Sequence, residues 1–113
     1  MSEATRALLR AKIAQVFPDR DAAEILAVLD RYGTEPHEPE PDRVQLAILK
    51  LCDEEGHDDP MHYVEAAKQD FRDVLAWAEY PNQMRRPATI APKERAKLMR
   101  RDEAQYRAWL DKR

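Results

Sequence analysis

Apolar residues recur along this chain with a helical period. Leu9, Ile13, Val16 and Phe17 share one face and predict a first helix over roughly residues 3–17, closed by Pro18. Asp21, followed three residues later by Glu24, has the spacing of a capping box and opens a second helix. Ala22, Ile25, Val28, Leu29 and Tyr32 form its inner stripe, and Gly33 is a natural stop. In "DRVQLAILKLC" the apolar positions run nearly round the whole circumference, leaving Arg43, Gln45 and Lys50 for water. Such a helix belongs at the centre of a core. Asp59 and Pro60 open a fourth helix reaching about Tyr80, with Val64, Ala67, Phe71, Val74, Leu75 and Ala78 facing inward. A fifth starts at Pro92 and runs to the C-terminus, its stripe of Leu98, Met99, Tyr106, Trp109 and Leu110 interrupted by Arg95 and Asp102.

The breaks between helices are as legible as the helices. "TEPHEPEP" carries three prolines and three glutamates, which forbid regular helix and favour an extended connector across one end of the bundle. "DEEGHDDP" is a turn capped by Gly56, and "PNQMRRPATIAP" is a second proline-bounded connector. With no strand signal, the expected fold is all-α: a four-helix antiparallel bundle-like domain with a fifth, basic C-terminal helix.

Two segments, "DRVQLAILKL" and "DFRDVLAWAEYP", together resemble a family of small, functionally uncharacterised bacterial all-helical proteins. The resemblance covers about residues 42–81 and implies a compact helical fold. It brings no activity, ligand or site residue with it.

Length and charge narrow the picture. The 113 residues fit one domain. Residues 1–80 hold 18 acidic and 9 basic side chains, a net of −9, whereas 81–113 hold 4 and 10, a net of +6. An acidic helical body thus carries a basic connector and helix, which pack on the body or on a partner. Cys52 stands alone and there is no leader-like apolar N-terminus, which fits a cytoplasmic protein. "LAIL", the longest apolar run, is too short for a membrane span.

Candidate chemistry is sparse. Cys52, His57 and His62 lie beside Asp53, Glu54, Glu55, Asp58 and Asp59, but their spacing matches neither a zinc nor an EF-hand pattern. Carboxylates 53–55 oppose the dipole of the helix they end, so a cation, whether an arginine or a metal, would relieve them. His37 sits among glutamates in the proline connector and reads as an exposed loop histidine. Two glycines exclude a glycine-rich phosphate loop, and Ser2 as the sole serine leaves no serine-hydrolase chemistry. No enzyme activity and no cofactor are expected.

Surfaces for a partner are easier to name. On the last helix Lys93, Lys97, Arg100, Arg101 and Arg107 gather opposite its apolar residues. On the fourth, Tyr63, Ala66, Asp70, Asp73 and Trp77 follow one another at three- and four-residue steps, forming an aromatic and acidic strip about 110° from the core stripe. Tyr63, Asp70, Asp73, Trp77 and Trp109 are therefore the interaction candidates. The expectation is a non-enzymatic interaction or structural module that self-associates as a homodimer or binds another protein. The alternatives are nucleic-acid association through the basic helix, which the acidic body opposes, and metal binding at the Cys52/His57/His62 turn; a membrane partner is not expected.

Overall fold

A computed structural model of the protein describes residues 3–56, 59–84 and 90–112. It is all-α, with helices α1 Glu3–Val16, α2 Ala22–Leu29, α3 Pro41–Glu55, α4 Met61–Glu79, α5 Pro81–Met84 and α6 Pro92–Asp111. No strand occurs among the described residues. The predicted boundaries hold to within a residue or two, except that α2 stops at Leu29 and the second connector contains the short α5.

The α3 helix is the centre. Its nine residues from Val44 to Cys52 are all buried, packed between α1 on one side and α4 on the other. Each fully buried leucine or isoleucine there contributes about 2 kcal/mol by leaving water. Gln45 and Lys50, expected to face solvent, are buried too. The Gln45 amide donates to Asp30 Oδ1 (3.3 Å) and to the Tyr32 carbonyl (3.2 Å), whereas the Lys50 ammonium pairs with Glu54.

Side chains organise the connector between α2 and α3. Tyr32, buried, donates its hydroxyl to the Pro39 carbonyl at 2.8 Å. Glu38 Oε1 accepts the backbone N–H groups of Gly33, Thr34 and Glu35 at 2.9, 3.2 and 3.4 Å, while Oε2 accepts from Lys68 of α4 at 2.9 Å. Gly33 has φ +103°, and a Cβ there would lie 2.6 Å from Cβ of Pro41, so both backbone and space demand glycine. Glu40 takes a left-handed φ of 49° directly before Pro41, a strained turn that redirects the chain into α3.

The α4 helix is two helices in tandem. Asp70 has φ −156° and ψ 103°, and its Oδ1 accepts the Arg72 N–H at 3.0 Å, the geometry of an N-cap for the second half. The buried stripe keeps its helical spacing across the break, through Val64, Ala67, Val74, Leu75 and Ala78. Tyr63, before it, turns into the core, while Trp77, after it, is 41% exposed.

Asp102, expected to interrupt the apolar stripe of α6, is instead its polar anchor. It is 1% exposed and accepts four hydrogen bonds: from Asn82 N and Nδ2 at 3.0 Å, Gln83 N at 3.2 Å and Gln83 Nε2 at 2.9 Å. These are the donors at the start of α5, so one carboxylate satisfies the end of one helix and pins it to another.

Candidate functional site

The C-terminal helix docks on its own chain. Only Leu98, Asp102 and Trp109 of α6 are buried, a narrow stripe held by polar contacts at Asp102 in its middle and at its C-terminal end. At its C-terminal end the Trp109 indole N–H donates to Asp53 Oδ2 at 2.9 Å, and the Lys12 ammonium sits 4.7 Å from the centre of a Trp109 ring. Lys12, 1% exposed, also donates to the Trp109 carbonyl, to the Lys112 carbonyl at 2.9 Å and to Gln15 Oε1 at 3.2 Å. A cation placed on the last carbonyls of α6 complements its dipole. Burial holds the Lys12 ammonium below its ordinary pKa, with nearby Lys112 pushing the same way and Asp53 and Asp111 opposing.

Two interaction candidates are thereby corrected. Trp109 is a buried clamp between α6, α1 and α3, because its indole finds an acceptor in Asp53 and a cation in Lys12. Tyr63 is buried at the start of α4, whereas Trp77 towards its end is exposed. Asp70 is half-buried and engaged by Arg72, at 3.0 and 3.1 Å. Asp73 and Trp77 stay on the surface, with no hydrogen bond or ion pair to Asp73 among the described residues.

The acidic turn also resolves into contacts within the protein. Lys50 neutralises Glu54, and Trp109 donates to Asp53. Cys52 is buried, and burial, with Asp59 and Asp53 adding, pushes its thiol up to about 12, away from the thiolate that binds metals or attacks electrophiles. His62 is exposed, with its ring edge-on to Tyr63 at 4.9 Å. His57 lies outside the described residues, among which no group of three or more histidine, cysteine or carboxylate side chains is placed to hold a metal ion.

A groove of about 990 Å³ is bounded by α1, the start of α3, the end of α4 and α6. Leu8, Leu46 and Leu110 contribute its apolar surface. Arg43, Arg100, Arg107, Tyr80 and Tyr106 contribute guanidinium and phenol groups. Arg43 is fixed: its Nε and Nη2 donate to the two Glu79 oxygens at 2.8 and 2.6 Å, and Nη2 also reaches the Tyr80 hydroxyl at 2.8 Å. This pairing with Glu79 holds the Arg43 guanidinium well above its ordinary pKa. Burial pushes the Tyr106 phenol up, and nearby Glu79 pushes the same way, so it stays a neutral O–H donor. Arg100 and Arg107 are exposed and form no ion pair with a described residue. They lie seven residues apart, two helical turns, and so project from one face of α6 about 10 Å apart. Of the remaining carboxylates, Glu79 is matched by Arg43 and Asp102 by α5, which leaves Asp42 and Glu103 at the margin.

The basic cluster is thus divided. Arg100 and Arg107 border the groove, whereas Lys93, Lys97 and Arg101 are exposed on α6 without lining it. Sequence reasoning missed the groove itself: Arg43, Leu46, Tyr80 and Tyr106 come from three helices, and no spacing along the chain connects them. Nor does any described helix have the length and apolarity to cross a membrane. Comparisons with protein-family models, curated proteins and solved structures find no match.

Proposed function

We propose that the protein is a non-enzymatic interaction module of the cytoplasm and that the groove between α1, α3, α4 and α6 is its docking surface. The observation that carries this reading is the composition of the groove: leucines at its apolar surface, bordered by arginines and tyrosines, with two arginines unmatched by a described residue. Arginine and tyrosine with a desolvated apolar centre are the residues that dominate protein–protein recognition. The rigid Arg43–Glu79–Tyr80 cluster supports it, because a pre-ordered wall loses little entropy on binding. The buried thiol of Cys52 suits a reducing compartment.

The experiment is affinity capture from cytosolic extract, comparing wild type with Arg100→Glu/Arg107→Glu. Both side chains are exposed, so the variant keeps its fold, verified by its far-ultraviolet spectrum. Proteins retained by wild type and lost by the variant support the module; an identical set from both refutes the groove as its surface.

A further inference from the structure

Among the described residues, four large apolar side chains remain substantially exposed: Trp77, Tyr80, Met84 and Met99, at 41, 38, 54 and 46%. Three are consecutive along the end of α4 and α5. Tyr80 follows Trp77 by about one turn, and the Met84 N–H donates to the Tyr80 carbonyl at 3.0 Å. Tyr80 is also part of the groove wall. The aromatic strip on α4 and the groove therefore adjoin, with Tyr80 belonging to both.

Their chemistries are complementary. The strip offers a carboxylate, Asp73, one turn before an exposed indole, Trp77. The groove offers two guanidinium groups, Arg100 and Arg107, beside the apolar side chains of Leu8, Leu46 and Leu110. None of Asp73, Arg100 and Arg107 forms a hydrogen bond or a close ion pair with a described residue, although Arg72 lies near enough to Asp73 to feel its charge. Within one copy the strip cannot enter the groove that it borders. Resting on the reading of the groove as a docking surface, we infer that its occupant is the Asp73–Trp77 strip of a second copy of this chain. Trp77 enters the apolar part of the groove, and Asp73 meets Arg100 or Arg107.

Because strip and groove adjoin, both exchanges fit one two-fold arrangement: each copy inserts its own Trp77 and receives the other's. An isologous contact of this kind closes on itself as a dimer and does not propagate into a filament. It also gives the mixed charges of the margin a use. Asp42 and Glu103 disfavour a uniformly acidic partner, whereas the strip brings one carboxylate with a neutral aromatic ring.

Sedimentation equilibrium of the whole chain, from micromolar to millimolar concentration, tests the inference. Wild type is expected to associate to a dimer, more weakly at high salt. Trp77→Ala is expected to lower the association constant at least about thirtyfold, as for a central aromatic anchor. Asp73→Arg alone, and Arg100→Glu/Arg107→Glu, should each abolish dimers while leaving the urea midpoint near that of wild type. Combining Asp73→Arg with Arg100→Glu or with Arg107→Glu should restore the dimer in one combination, a rescue that general destabilisation does not produce. A wild type that stays monomeric at millimolar concentration overturns the inference, as does a dimer indifferent to all these changes. In the monomeric case, capture of other proteins that still depends on Arg100 and Arg107 leaves the docking-surface reading standing. Capture independent of them removes that reading as well.

Discussion

Glu38 joins the connector between α2 and α3 to α4. It is 5% exposed, accepts three successive backbone N–H groups and ties them to Lys68 on α4. Burial alone would raise its pKa, but the bonds from Lys68, Gly33 and Glu35 outweigh that and bring it down to about 2. The ordinary value is 4.5. A lowered carboxylate pKa means the folded state holds this proton less tightly than the unfolded chain does. Its stabilisation is therefore full above about pH 5 and disappears as the pH falls through the range from 4.5 to about 2. The shift is worth roughly 3 kcal/mol at 1.36 kcal/mol per unit. The carboxylate lies under a thin cover and Lys68 is part-exposed, so solvent screening reduces this to about 2 kcal/mol. Glu38→Gln keeps one acceptor oxygen and the shape of the side chain but loses the charge. Urea melts of wild type and Glu38→Gln at closely spaced pH values should show the variant less stable by about 2 kcal/mol at pH 7. The two curves should converge as the pH approaches 2. Other carboxylates titrate in both proteins and cancel in the difference. A constant gap across this range, or none at neutral pH, refutes the assignment of connector order to the Glu38 charge.

Two further outcomes follow from the same packing. Asp102→Ala leaves the α5 donors without their acceptor and is expected to cost about 2–3 kcal/mol, with Asn82 and Gln83 amides losing protection in hydrogen exchange first; unchanged protection there contradicts the anchoring role. Gly33→Ala forces a side chain into a left-handed backbone and against Pro41, and should cost at least about 2 kcal/mol in urea, whereas the exposed, unobstructed Gly56→Ala costs only the left-handed penalty of about 1 kcal/mol.

Much of the fold was legible because local chemistry and tertiary packing agree. The Asp21 cap, with its side chain accepting the Ala23 N–H at 2.9 Å, and the left-handed Gly56 at φ +68° are where the residue types place them. The near-continuous apolar surface of α3 makes it central in any compact arrangement. Polar residues on that helix were misplaced for a physical reason. Periodicity assigns a polar side chain to water, but a lysine or glutamine that finds an acceptor can be covered instead. Asp102 and Lys12 follow the same logic. Each is buried because it meets unsatisfied groups at the end of a helix, far away in sequence.

The candidate site was less legible. Trp77 and Asp73 were found because they depart from the core stripe within one helix. Tyr63 and Trp109 carry the same residue-type signal, but the fold covers both, and Trp109 finds Asp53 and Lys12 on other helices.

The sequence by itself determined the five long helices, the Asp21 and Gly56 caps, the central position of α3 and the division into acidic body and basic helix. These depend on residues within a turn or two of one another, where backbone geometry is nearly fixed. Only the tertiary structure decided which residues of α1 and α3 the basic helix packs against, which charges are buried, and that Arg43, Tyr80, Arg100 and Tyr106 meet around one groove. Those outcomes depend on contacts between residues tens of positions apart, whose spacing in the chain carries no record of their separation in space.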